Sequence, residues 1–325
     1  MPTCSMATGS TRSTSRPPST PMPSAPAIGE PGPPAMRRTG RAFESCGRVL
    51  EVGGRDVQAY VAGDGPDVIL LHGAASHSAD FDFGLFDRLA ARFRVTAFDR
   101  PGLGRSEALH GRGESFGEQA AHLDAAAAAL GIARAVVVGH SFGGGVAMAW
   151  ALDRPARVAA VTTLAGVTMP WPEDMDAFRR LASREPDGAA LVPVISVTSE
   201  RAFTHSTLET IFAPQPVPEG YAERLLLPRD LLRPTFRSNA RQVARLREEV
   251  TRLARGYASL QLPVEVLQGK HDTVGSVMVH ARQMARRLGN ARLTELPGIG
   301  HMPHHADPDA TVAAIIRAVA RAGLR

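Results

Sequence analysis

Apolar positions along this chain follow two rhythms. Short unbroken runs such as Val68-Ile69-Leu70-Leu71 and Val136-Val137-Val138 alternate with longer stretches in which apolar residues recur at helical spacing. Unbroken runs of four to six residues suit strands buried on both faces, and the helical stretches suit crossovers that cover them. The pattern predicts a hairpin over 48–62 with Gly53-Gly54 as its turn. It then predicts strand 67–71, a helix near 81–92, strand 94–98, helix 115–130, strand 134–139, helix 142–153 and strand 158–165. After an interruption come strand 264–268, helix 277–288, strand 293–296 and helix 309–322. Such alternation implies an α/β fold, a mostly parallel twisted sheet with helices on both faces. In the last helix Val312, Ile315, Ile316 and Val319 form one apolar stripe, which faces the core.

The interruption divides the chain. The main domain is expected over 43–169 and 259–325, with a helical insertion over 170–258. The clearest helix of the insertion carries Val243, Leu246, Val250, Leu253 and Tyr257 on one face, with arginines and glutamates opposite. It can pack over the main domain. Neighbouring segments carry Phe178, Phe203, Phe212, Leu225 to Leu227 and Phe236, which would wall a pocket suited to an uncharged, largely apolar small molecule.

Residues 1–42 break both rhythms. They are rich in Ser, Thr, Pro and Gly with almost no large apolar side chain, so they cannot bury enough surface to offset ordering, and disorder is expected. Met36 is an alternative initiator. Native protein whose sequenced N-terminus began at Pro2 or Thr3 would reject that reading. The segment also explains the charge. Of the formal +5, the first 41 residues supply +4, from five arginines against Glu30, so the remainder is close to neutral. No basic stripe with interleaved aromatics is left to grip nucleic acid. Neither a signal-peptide core nor a membrane span is recognisable, and a cytoplasmic protein is expected. Cys4 and Cys46 make neither a disulfide framework nor a zinc pattern.

Against this background Gly139-His140-Ser141-Phe142-Gly143 stands out, because it joins a buried strand to a small-residue helix. A serine at the tip of such a turn projects its hydroxyl from the sheet. The residues two before and two after it come close together and must lack side chains. A serine hydroxyl is a weak nucleophile and needs a base, an orienter of that base, and donors for an oxyanion. Asp272 follows the strand ending at Gly269. His301 sits in the turn-rich Pro297 to Pro303 segment after the next strand. Strand ends of this kind are where open α/β sheets carry their sites. His301 is therefore the expected base and Asp272 its orienter, with Glu173 and Asp174 ranked below Asp272. Strand 67–71 ends in His72-Gly73. The backbone N–H of Ala74 could join that of Phe142 as an oxyanion hole, with His72 as a structural hydrogen-bonder. His301, His304 and His305 are close enough together to raise a metal, but no second ligand cluster accompanies them, and none is expected.

His72-Gly73, Asp99-Arg100-Pro101-Gly102-Leu103-Gly104-Arg105-Ser106, the Gly-His-Ser-Phe-Gly-Gly turn, Asp272 and Gly300-His301 together resemble, in order and spacing, the α/β-hydrolase fold superfamily. The resemblance covers roughly residues 46 to 323. It implies a hydrolase with a Ser-His-Asp triad, a small-molecule substrate and no cofactor. The Asp-Arg-Pro-Gly segment also resembles that of epoxide hydrolases and haloalkane dehalogenases. Those relatives use an aspartate nucleophile where this chain has Ser141, and serine cannot form their alkyl-enzyme ester. Asp99 and Arg100 are expected to brace their loop. The expected reaction is cleavage of a carboxylic ester through an acyl-enzyme. A carbon–carbon hydrolase, a lactonase and a haloperoxidase-like enzyme remain open, as does a non-catalytic binding protein. The loop after Gly73 lacks the Gly-Pro-Gly often found in the carbon–carbon hydrolases. Oligomeric state is left open.

Overall fold

A computed structural model describes residues 40–171 and 207–324. Its centre is an eight-stranded sheet. The strands are β1 (Gly47–Val52), β2 (Arg55–Ala62), β3 (Asp67–Leu71), β4 (Arg94–Phe98), β5 (Ala135–His140), β6 (Val158–Leu164), β7 (Val264–Gly269) and β8 (Ala291–Leu296). Their order is β1-β2-β4-β3-β5-β6-β7-β8. The β1–β2 hairpin and its junction with β4 are antiparallel, and every other pairing is parallel. The expected α/β architecture is the one observed.

The unbroken apolar runs are explained by burial on both sides. In β3, Val68 and Leu70 enter one core while Ile69 and Leu71 enter the other, and Val136 and Val138 oppose Val137 in the same way along β5. One core lies beneath helices Phe116–Ala129, Phe142–Asp153 and Leu246–Gly256. The other lies beneath Leu85–Ala90 and Pro308–Arg321, where Ile315 and Val319 are buried as the stripe required. Each such aliphatic side chain contributes roughly 1.5–3 kcal/mol by leaving water.

Local differences from the expected elements have packing causes. The described residues begin at Gly40, where a short helix, Gly40–Ser45, sets Phe43 against Tyr60 (ring centroids 4.2 Å apart) and Phe86 (4.9 Å). The rest of the expected disordered segment lies outside the described residues. The helix expected near 81–92 is a 3-10 turn, Ser78–Asp82, followed by Leu85–Ala90. The helix expected over 277–288 opens as a π-turn, Val277–Ala281, before Arg282–Arg287. Between β6 and β7, helices run over 207–212, Tyr221–Arg224, Arg229–Ala244 and Leu246–Gly256. The long amphipathic segment is broken at Arg245. Its second half buries Leu246, Val250, Leu253 and Tyr257 in the main core, so packing over the main domain is what that face does. Among the described residues no helix is long and apolar enough to cross a membrane.

Candidate active site

Three non-glycine residues among those described have positive φ: Ala75 (51°), Ser141 (49°) and Ala165 (48°). All three lie just beyond the carboxyl ends of neighbouring strands, β3, β5 and β6. Backbone strain of this kind persists only where packing over-determines it. At Ser141 the determinants are visible. A side chain on Gly139 would collide with the Gly143 backbone, and one on Gly143 would collide with the carbonyls of Leu71 and His72. The turn is thus pressed against the end of β3. A Cβ on Gly73 would lie 3.3 Å from that of Ser141, so the loop backbone passes beside the serine.

Ser141 Oγ lies 3.0 Å from Nε2 of His301, whose Nδ1 lies 2.8 Å from Oδ2 of Asp272. All three side chains are buried. Asp272 is held from both sides. Its Oδ1 accepts the N–H groups of Val274 (2.9 Å) and Gly275 (2.7 Å), and its Oδ2 also accepts from Nε2 of Gln268 (2.6 Å). The aspartate therefore shapes its own turn and faces the histidine as well. Phe142 opens the helix Phe142–Asp153. Its N–H is among those that an α-helix leaves without an internal acceptor. Ala74 follows Gly73 in the adjacent loop and is partly exposed. The structure thus brings Ser141, His301 and Asp272 together and sets Phe142 and the Gly73-Ala74 loop beside them. Glu173, Asp174, Phe178 and Phe203 lie outside the described residues.

The loop beneath Ser141 is clamped by a buried arginine. Arg100 donates from Nε to the His72 carbonyl (2.9 Å) and from Nη2 to the Gly73 carbonyl (2.8 Å). Its Nη1 reaches Gln119 (2.8 Å) and Gln242 (3.1 Å). Its guanidinium carbon lies 4.5 Å from the centre of the Phe142 ring. Burial lowers its pKa to about 9. His72 donates from Nδ1 to the Gly73 carbonyl (2.9 Å) and accepts the Arg100 N–H at Nε2 (2.9 Å), which is a structural assignment for both nitrogens. Asp99 accepts the N–H groups of Ser78 (2.8 Å) and Arg105 (2.9 Å). Asp99 braces its own loop as expected, whereas the Arg100 side chain clamps the His72-Gly73 loop instead. Helix Arg229–Ala244 reaches the same loop, with Asn239 Oδ1 accepting the N–H of Ala75 (2.7 Å).

One group was not legible in the sequence. Asp80, fully buried, receives Tyr221 Oη (2.7 Å) and His305 Nε2 (2.9 Å) on Oδ1, and His304 Nε2 (3.1 Å) on Oδ2. His140 Nδ1 lies 3.7 Å from the same Oδ2, and His140 Nε2 donates to the carbonyl of His301 (3.0 Å). The expectation that the histidines near 301 lack companion ligands is thereby corrected: Asp80 and His140 join them. No local signal marks Asp80, because His304 is 224 residues away in the chain. Burial would raise the Asp80 carboxyl, but His304 and His305 outweigh it and hold the pKa well below the usual range. Burial pushes His140 and His304 the other way, toward the neutral imidazole.

Residues 66–308 match the family model described as the alpha/beta hydrolase fold. The chain belongs to the α/β-hydrolase family. It is a hydrolase. It is 30% identical over 259 residues to the uncharacterized protein Rv2715 of Mycobacterium tuberculosis, covering 76% of this chain and 73% of that one. It is 28% identical over 260 residues to haloalkane dehalogenase 2 of the same organism (78% and 88% covered). It is 29% identical over 271 residues to the pimeloyl-[acyl-carrier protein] methyl ester esterase of Nitrosospira multiformis (80% and 98% covered). Among solved structures, an esterase from Exiguobacterium antarcticum superposes with a TM-score of 0.68 at 18% identity, over 84% of this chain and 99% of that one. At that identity the likeness concerns the fold alone.

Proposed function

We propose that this α/β-hydrolase is a serine hydrolase that cleaves a carboxylic ester of a small, largely apolar substrate through an acyl-enzyme. One observation carries the reading. A positive-φ serine at a helix N-terminus has its Oγ 3.0 Å from an imidazole nitrogen, and an aspartate lies 2.8 Å from the other nitrogen of that ring. In this reading His301 Nε2 takes the proton as Ser141 Oγ attacks the ester carbonyl. Asp272 fixes the tautomer and stabilises the imidazolium without being protonated. The N–H groups of Ala74 and Phe142 receive the oxyanion, a contribution worth roughly 3–4 kcal/mol per donor in other enzymes. The imidazolium then protonates the departing alkoxide. A water, deprotonated at the same nitrogen, cleaves the acyl-enzyme and restores Ser141. The reaction so written calls on no cofactor.

The dehalogenase relative does not extend its name to this chain, because halide displacement by its family route needs a carboxylate at position 141. The helical segments between β6 and β7 serve as a cap in this reading. Asn239 and Gln242, which meet the Ala75 and Arg100 region, mark where that cap touches the site. Intact-mass measurement after exposure to a fluorophosphonate tests the nucleophile. A single adduct is expected on the wild type and none on Ser141→Ala. A folded wild type that stays unlabelled would sink the proposal. A panel of p-nitrophenyl esters of increasing chain length then reads the bond and the acyl preference.

A further inference from the structure

The cluster at Asp80 holds an electrostatic contradiction that a cation resolves. His140 donates its Nε2 hydrogen to the His301 carbonyl, so in the neutral ring Nδ1 carries a lone pair. That lone pair belongs to a buried atom with no hydrogen-bond partner, and it sits 3.7 Å from a carboxylate oxygen of Asp80, itself buried. Two electron-rich atoms are thus held near each other out of water, where an unpaired polar atom is costly. His304 Nε2 approaches the same oxygen at 3.1 Å. The three ligand atoms, Asp80 Oδ2, His140 Nδ1 and His304 Nε2, all lie within 4.8 Å of one another.

We propose that Asp80, His140 and His304 form a structural site for a divalent transition metal of the zinc type. Such a site does not depend on Ser141 being an ester-cleaving nucleophile. Zinc holds imidazole nitrogen and carboxylate oxygen at about 2.0–2.2 Å, which sets neighbouring ligand atoms about 3.4 Å apart in a tetrahedron. The two separations to Asp80, 3.1 and 3.7 Å, bracket that edge. Two imidazoles and one carboxylate with no thiolate suit zinc, cobalt or nickel more than calcium or magnesium. Two of the three ligands, His140 and Asp80, carry outer contacts of the kind that orient metal ligands elsewhere, while Nδ1 of His304 has no hydrogen-bond partner. The far nitrogen of His140 donates to a backbone carbonyl, and the second Asp80 oxygen accepts from Tyr221 and His305. Such an ion would tie three parts of the molecule together: the 3-10 turn Ser78–Asp82 that carries Asp80, the turn before Ser141, and the loop that carries His301. It would lie one residue's hydrogen bond from the His301 backbone without touching the serine.

The test needs no substrate. Protein produced in zinc-supplemented medium is analysed for metal by mass spectrometry, and unfolded protein is refolded with cobalt(II) and read by visible absorption. The expected result is one ion per chain and the d–d bands of a tetrahedral nitrogen–oxygen site. Both should fall at least about tenfold in Asp80→Asn and in His304→Gln, and both should persist in His271→Ala, which removes an exposed histidine. A folded wild type that takes up no stoichiometric metal by either route overturns the proposal and leaves a hydrogen-bonded histidine cluster only. So does binding that survives both cluster variants, which would be adventitious. The wild-type measurement decides even if a variant fails to fold, and near-ultraviolet circular dichroism reads that separately.

Discussion

Both oxygens of Asp272 are engaged before any substrate arrives, and Gln268 is the side chain that links them to the sheet. Its amide donates to Asp272 Oδ2 (2.6 Å) and to the carbonyl of Gly275 (2.8 Å), from within β7. Gln268 hydrogen-bonds Asp272 and the Gly275 carbonyl and not Ser141, so it acts through the aspartate. Gln268→Leu should lower kcat by more than about tenfold yet stay short of the roughly 10⁴-fold loss caused elsewhere by replacing the acid of a serine triad. KM should hardly move. Steady-state kinetics on the best ester checks this, and a change confined to KM would contradict the positioning role. Gln268 also shows the limit of legibility at this scale. That Ser141, His301 and Asp272 would lie close together could be read because each follows a strand, at the sheet end where open α/β folds carry their sites. Gln268 lay in plain view in Val264-Glu265-Val266-Leu267-Gln268-Gly269, yet nothing in a strand pattern says which side chain will meet a loop four residues on. Asp80 was hidden more deeply, since its partners come from elements far away in the chain.

At the scale of elements, strands were read better than helices. Buried strands announce themselves by unbroken Val, Ile, Leu and Ala, and each expected strand is present within a residue or two. Helices were displaced where a tertiary contact overrode periodicity. Buried His280 accepts the Met169 N–H at Nδ1 (3.3 Å), and the helix opens there as a π-turn. Helix Phe116–Ala129 is the contrary case, because its start is written in the chain. Ser115 accepts the Glu118 N–H (3.2 Å), and Glu118 accepts the Ser115 N–H (2.8 Å), which makes a capping box. That helix matters to the site, since it buries Phe116 against Phe142 (centroids 4.8 Å apart) beside the serine. Ser115→Ala should cost about 1 kcal/mol, read as a lower urea midpoint at unchanged slope. Adduct formation at Ser141 should be unaffected, because a frayed first turn still leaves Phe116 in the core. An unchanged midpoint would mean that tertiary packing alone fixes the start of the helix.

For the molecule as a whole, the buried histidines set how stability responds to acid. His280 is buried, and burial lowers its pKa from 6.5 to about 4. His72 is also lowered, first by burial and then by Arg100. The sign follows from proton counting. Above pH 6.5 the ring is neutral folded or unfolded and contributes nothing. Between pH 6.5 and about 4 the unfolded chain binds a proton that the folded chain refuses, so stability falls as pH falls. For His280 alone the loss on going from pH 7 to pH 5 is about 2 kcal/mol. His280→Asn should therefore be less stable than wild type at pH 7, where it loses packing and the Met169 contact, but should lose less than wild type on acidification. Urea denaturation of both proteins at pH 7 and pH 5 measures that difference of differences. Equal acid sensitivity in the two would show that His280 is not the group that titrates. The acid response would then come from other groups, among them His72 and His122, whose pKa values burial also lowers.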